Sequence, residues 1–333
     1  LVMIHYRGGQ EMIECLQPET GKRYWYFEYP VRIGSNYGIT DAPRSGPVID
    51  EDLVFTVGVQ GDLHCLNLRT GEVVWKKDLD EEFGPAPLFF GRGSCPLVYG
   101  DQLIVNVGGK FCVVSFDKRT GELLWSTKHV WHASYASPVP ATIHGKKRIL
   151  VFAGGMARPP SGGLLSIDPE SGALDTAFPW RARMYTSVNA ASPVVVENSA
   201  FITESYTEGG ALIDFAPDGS AKLRWKAERF GSQFTTPIAH DGYLYGVVGS
   251  GGTEMVCYEI ESGREMWRDG IELQDARLGR ASLLRVDDAF LCIGAQGTLL
   301  WLDLKPTGPK ILSEAQLFHA PETWGVPTVS RGL

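Results

Sequence analysis

A glycine recurs along this chain at near-constant intervals, and in most copies a tryptophan follows four residues later. Thr20-Gly21 precedes Trp25, Thr70-Gly71 precedes Trp75, Thr120-Gly121 precedes Trp125 and Ser262-Gly263 precedes Trp267. Weaker copies fill the gaps: Ser171-Gly172 before Phe178 and Trp180, Asp218-Gly219 before Trp225, and Thr307-Gly308 with no tryptophan. Successive glycines lie 50, 50, 51, 47, 44 and 45 residues apart. A period of this size, filled by short strands, is the sequence mark of propeller blades.

The third period shows what one repeat contains. Residues 95–99 read as a first strand, turned by Gly100-Asp101. Residues 103–107 read as a second, 111–116 as a third and 123–125 as a fourth, with a turn at 117–121 before the last. Short apolar alternation broken by Gly and Asp, with no helical period, argues an all-β chain. Such a blade has two apolar faces and cannot cover both alone, so the blades must form together. The tryptophans Trp25, Trp75, Trp125, Trp225 and Trp267 are expected to be buried between blades as flat packing surface.

Seven turn signals are countable across 333 residues. The end of the chain, 326–329, reads as a first strand, and its start, 1–6, reads as a second. The expectation is one propeller domain over 1–333 whose first and last strands share a blade. Eight blades with trimmed termini is the rival count. Arg7 follows the apolar start at once, so that start is no signal peptide; it reads as a strand, consistent with a missing upstream segment.

Charge and composition exclude several function classes. The net charge of −8 opposes a general nucleic-acid binder, which needs a basic footprint. No apolar run approaches the ~20 residues of a membrane-spanning helix. The six cysteines form no Cys-x-x-Cys pair. Cys15, Cys65 and Cys257 each stand six residues before a repeat glycine, which places them at one strand position in separate blades, as buried thiols and not as bridges.

The stretch Asp117-Lys118-Arg119-Thr120-Gly121-Glu122-Leu123-Leu124-Trp125 resembles the tryptophan-docking motif of the pyrroloquinoline-quinone-type propellers. That family includes quinoprotein alcohol dehydrogenases and the non-catalytic propeller lipoprotein of the bacterial outer-membrane β-barrel assembly machinery. The resemblance implies an exported protein, periplasmic or extracellular. It covers nearly the whole chain, yet a fold of this kind hosts many functions.

In a four-stranded meander, the second-to-third turns and the blade connections share one end of each sheet. They are the long loops here, among them 26–46, 79–94, 127–137, 153–163, 181–192 and 203–209. Long loops on a rigid frame are where binding residues gather. This face collects Arg7, Arg32, Arg44, Arg92, Arg158, Arg181 and Arg183, with Tyr37, Trp131, His132, Tyr135 and Tyr185. The candidate ligand-binding residues are Arg44, Tyr135, Arg181, Arg183 and Asn189. Arg181 and Arg183, two apart on an extended segment, are expected on one side. Either they clamp one anion together or one is tied to a neighbouring carboxylate.

Catalytic patterns are weak. A quinone-dependent dehydrogenase needs a catalytic Asp and a calcium site of Glu and Asn oxygens. The relatives that do this chemistry also show adjacent cysteines, absent here. Asp41 and Glu204 stand isolated, the histidines are scattered, and no Gly-x-Ser-x-Gly occurs. The reading is therefore a non-catalytic scaffold or ligand-binding propeller with no catalytic residues, no metal and no cofactor. Its expected partner is a protein or an anionic or carbohydrate-like ligand on the long-loop face. The alternative is a quinone-dependent oxidoreductase acting on an alcohol or sugar, which would carry pyrroloquinoline quinone with calcium.

Overall fold

The computed structural model describes residues 1–32, 42–155, 159–184, 187–249, 254–269, 278–320 and 323–330. Two compact units emerge, residues 1–140 with 147–179, and residues 141–146 with 180–333. Both are built from antiparallel β-meanders, and the fold class is a β-propeller of such blades.

The first unit opens with a three-stranded sheet, β1 (Val2–Arg7), β2 (Gln10–Leu16) and β3 (Arg23–Pro30). The next blade is β4 (Val48–Asp50), β5 (Leu53–Val57), β6 (Asp62–Asn67) and β7 (Val73–Asp78), followed by the short helix α1 (Leu79–Phe83). The third is β8 (Leu97–Tyr99), β9 (Gln102–Asn106), β10 (Val113–Asp117) and β11 (Leu123–Thr127). The fourth is β12 (Val139–Ile143), β13 (Lys146–Ala153), β14 (Gly163–Ile167) and β15 (Leu174–Pro179).

The second unit holds three further blades. They are β16 (Val194–Val196) to β19 (Ala221–Ala227), with β17 at Ser199–Glu204 and β18 at Gly209–Phe215; β20 (Ile238–His240) to β23 (Glu265–Asp269), with β21 at Tyr243–Val248 and β22 at Glu254–Glu259; and β24 (Ser282–Val286) to β27 (Gly308–Gln316), with β25 at Ala289–Ile293 and β26 at Thr298–Lys305. Residues 326–329, read above as a strand, carry no strand pairing.

The turn before each outer strand explains the repeat. Asp117 Oδ1 accepts from the amides of Arg119 (2.9 Å) and Thr120 (2.8 Å), and the Gly121 amide closes the turn on the Asp117 carbonyl at 2.9 Å. Asn67 and Asp168 do the same in their blades. These amide bonds stabilise the ionised form and hold the Asp117 carboxyl below the usual range. The turn ends on a glycine with φ between +69° and +76° at Gly71, Gly121, Gly172 and Gly263.

A second constraint falls on the same glycines. The indole N–H of Trp25, Trp75, Trp125, Trp225 and Trp267 donates to the carbonyl of Leu68, Lys118, Pro169, Ile260 and Lys305, at 2.6–3.0 Å. Each acceptor lies three residues before the turn glycine of the following blade. A Cβ on Gly71, Gly121, Gly172 or Gly263 would sit 2.4–2.8 Å from the ring of Trp25, Trp75, Trp125 or Trp225. Glycine is thus required both by backbone sign and by the approach of the ring.

The strand residue opposite each tryptophan is Cys15, Cys65, Ser115, Leu212 or Cys257, and a β-bulge follows it at once in every one of these blades. The bulge bends and twists the outer strand locally beside the tryptophan. Trp25 and Trp125 are buried, whereas Trp75, Trp225 and Trp267 are half-buried, less than full burial predicts. They stand on strands at the sheet edge, so one flank of the ring stays open to solvent.

Blade entries repeat a further device. Pro47, Pro96, Pro138, Pro193 and Pro237 each stand immediately before a first strand. Proline cannot donate to a ladder and is tolerated at the start of an edge strand. Ser45 and Ser232 tie the entering chain to the end of the second strand, donating to the carbonyls of Val57 (2.5 Å) and Val247 (2.9 Å); Ser134 does so to Phe152.

Two expected outcomes follow from this packing. Trp125→Ala empties a large aromatic site and should cost about 3–5 kcal/mol. Gly172→Ala should be costly in the parent but lose about 1–2 kcal/mol of that cost in the Trp125→Ala background, because the ring it meets is gone; additive costs in urea titrations would refute the contact. All six cysteines are free thiols, and burial pushes Cys65, Cys112, Cys257 and Cys292 up to about 12. Alkylation at mildly alkaline pH, read by intact mass, should modify only Cys15 and Cys95 in the native protein and all six after denaturation.

Candidate functional site

Five separate segments of the first unit meet around one cavity of about 300 Å³. Arg32 and Arg44 stand at the two ends of the connection from β3 to β4, residues 79–96 and 128–138 are the next blade connections, and 58–61 and 107–112 are second-to-third turns. All belong to the end of the sheets where the long loops lie. The charged residues lining the cavity are Arg32, Arg44, Arg92 and Asp80.

Arg92 holds the wall together. Its guanidinium donates to Asp80 Oδ1 through Nε (2.9 Å) and Nη2 (2.6 Å), and to the Val107 carbonyl through Nη1 (3.1 Å). One buried side chain therefore ties α1 to the β9–β10 turn. Its own amide donates to the Val59 carbonyl at 2.8 Å. The Val59 amide in turn reaches Glu11 (3.2 Å), a fully buried carboxyl that also accepts from the Tyr29 hydroxyl at 2.6 Å. Burial raises Glu11 above the usual carboxyl range, against the opposing pull of these two hydrogen bonds.

The apolar side of the cavity comes from residues 86–90. Phe89 and Phe90 meet edge to face at 4.8 Å, and Phe90 meets Tyr135 in the same way at 6.2 Å. The Phe90 amide donates to the Tyr135 hydroxyl at 3.2 Å. The Arg44 guanidinium lies over the Phe90 ring at 5.5 Å. Arg32 is exposed, and its backbone is clamped on both sides by the Gln60 amide, at 2.9 and 3.1 Å.

The five sequence candidates thus divide. Arg44 and Tyr135 come together on Phe90. Arg181, Arg183 and Asn189 lie in the second unit, and Arg181 and Arg183 do not share a side. The Arg181 side chain is buried and pairs with Glu204, while Ser187 bonds to both through its hydroxyl and, at 2.9 Å, to Arg181 through its carbonyl. The Ala182 amide completes Glu204 at 2.9 Å. Arg183 is exposed, because the chain bends at that residue and the two-residue alternation of a strand does not apply. The outcome is the neighbouring-carboxylate arrangement, demanded by a Glu204 with no solvent exposure. Asn189 is buried. Tyr37, Asp41, Arg158 and Tyr185 fall outside the described residues.

Sequence reading missed Phe89, Phe90, Gln60 and Asp80. The available signal was the Phe89-Phe90-Gly91-Arg92-Gly93 run inside a long connection. Among the described residues, no group of three or more His, Cys, Asp or Glu side chains is placed to hold a metal ion. The buried carboxylates Glu11 and Glu204 are held by protein donors, and this does not fit the open oxygen cage that a calcium-quinone centre requires.

The family model described as outer membrane protein assembly factor BamB matches residues 9–269. The chain belongs to this family. Among solved structures, BamB from Moraxella catarrhalis superposes with a TM-score of 0.62 at 17% identity, over 95% of this chain and 82% of that one. A quinohemoprotein alcohol dehydrogenase from Comamonas testosteroni gives 0.59 at 13% identity, over 98% and 67%. Both are likenesses of fold. A curated relative, quinoprotein alcohol dehydrogenase PedH of Pseudomonas putida, is 29% identical over 130 residues, 37% of this chain and 21% of that protein's length.

The two arginines of the second unit make a direct test. Arg181→Ala strands a buried carboxylate and should destabilise by about 3–5 kcal/mol. Arg183→Ala should change stability by no more than about 0.5 kcal/mol. Thermal or urea unfolding of both variants decides; equal effects would contradict the burial difference.

Proposed function

We propose that this chain is a non-catalytic propeller scaffold of an exported bacterial assembly, and that it holds a protein partner by the end of its blades where connections and second-to-third turns lie. The carrying observation is the convergence of five such segments on one cavity bearing three arginines. The family it belongs to, described as an assembly factor, supports a partner-binding role over catalysis. A periplasmic setting follows from the same reading; among the described residues no helix is long and apolar enough to cross a membrane.

The opposite end of the blades is occupied by the packing itself. Its turns supply the acceptors and glycines for the tryptophans, and Lys118 there is buried against Asp50 at 2.7 Å. The quinone-dependent oxidoreductase reading has the 130-residue likeness to PedH in its favour. Against it stand Glu11 and Glu204, both engaged inside the protein. Dye reduction with alcohols and sugars after incubation with pyrroloquinoline quinone and Ca²⁺ should stay at background.

The partner reading is checked by placing a photo-crosslinking residue, one at a time, at the exposed positions Gln60 and Pro87, and at Asp101 and Glu122 on the other end. In producing cells, one discrete adduct is expected from the first pair and none from the second. Adducts confined to Asp101 and Glu122 would mean that the wrong face has been assigned.

A further inference from the structure

We infer that the cavity of the first unit is a recognition pocket for an acidic side chain flanked by an aromatic or large apolar one, presented by the partner. This rests on the partner-binding reading above and adds the chemistry of what is recognised.

Charge provides the first argument. The chain carries 39 acidic and 31 basic residues, yet the charged lining here is three arginines and one aspartate. The local sign is inverted relative to the whole, so a negative group is drawn to this spot and the rest of an acidic partner is not. The arginines have separate tasks. Arg92 is committed to Asp80 and the Val107 carbonyl and builds the wall. Arg32 has no side-chain partner among the described residues, and its backbone is held by Gln60, so an open guanidinium fork is carried at the cavity rim on a fixed backbone. A planar fork matches a carboxylate in a bidentate pair.

Shape provides the second argument. Beside that fork lie Leu88, Phe89 and Phe90, with Arg44 over the Phe90 ring. A volume of about 300 Å³ is at the small end for ligand sites, room for a pair of side chains more than for a large cofactor. An apolar wall next to the open Arg32 fork asks for a ligand that is apolar at one end and negatively charged at the other.

Rigidity provides the third. Gly91 has φ +75°, and a Cβ there would lie 2.4 Å from Val59 Cγ2 and 2.6 Å from its carbonyl oxygen. The Arg92 and Phe90 amides are pinned to Val59 and Tyr135. The connection is held in place before any ligand arrives, which reduces the ordering cost of binding.

The test is calorimetric titration of the whole chain with acetyl-Phe-Glu-amide, acetyl-Phe-Gln-amide and free phenylacetate. The Glu peptide should saturate, weaken as salt rises, and bind about tenfold more tightly than the Gln peptide. Arg32→Gln should remove that preference, while Arg69→Gln, on an exposed turn at the other end, should retain it. No saturable binding, equal binding of the Glu and Gln peptides, or an unchanged preference in Arg32→Gln overturns the proposal. Phenylacetate binding as tightly as the Glu peptide also overturns it, in favour of a small free acid. If peptide binding fails while crosslinks from Gln60 and Pro87 persist, the pocket is wrong and the partner face stands; loss of both removes the partner face as well.

Discussion

The contact between one tryptophan and the glycine turn of the next blade organises everything else in this protein. The indole N–H finds a carbonyl three residues before the glycine, and the ring lies where that glycine's side chain would be. The bond satisfies the one polar group of a large apolar surface. Because donor and acceptor belong to successive repeats, a blade that carries one of these five tryptophans is completed by the blade after it. That makes stability a property of consecutive pairs.

This contact also decides where function can reside. The third-to-fourth turns are committed twice, to the backbone geometry of the Asp117 type and to the incoming ring. Substitution there disturbs packing before it alters recognition. The opposite end has no such duty. Its connections are fastened by Ser45, Ser134 and Arg92 and by the amides of Phe90 and Arg92, and none of the five docking indoles bonds to its turns. The cavity under Arg32 and Phe90 lies at that end.

Much of the fold was legible because it is carried by local chemistry repeated at a fixed interval. Gly121 and Trp125 are four residues apart, and the turn at 117–121 that precedes the outer strand follows from Asp117 and its neighbouring amides. The shared position of Cys15, Cys65 and Cys257 was readable from spacing, and the register places each opposite a tryptophan. The site was only half legible. Arg44 and Tyr135 were identifiable as polar or aromatic residues on long connections, but their meeting point, Phe90, lies 46 and 45 residues from them and no period links the three. The pairing of Arg181 with Glu204 depended on a bend at Arg183 that alternation does not anticipate.

By itself the sequence determined the blade: its length, its turns, its tryptophan and the end of the sheet where the long loops gather. These depend on interactions within a few residues or between copies of one pattern, which a periodic sequence states repeatedly. Only the tertiary structure decided which arginines are structural and which open. The Arg181 side chain is buried against Glu204, a carboxylate with no solvent exposure, and Arg92 is buried between the Val107 carbonyl and an Asp80 that itself stays exposed, whereas Arg32 and Arg183 meet water. Desolvation is set by neighbours distant in sequence and unique to one place in the fold, so no repeat records it.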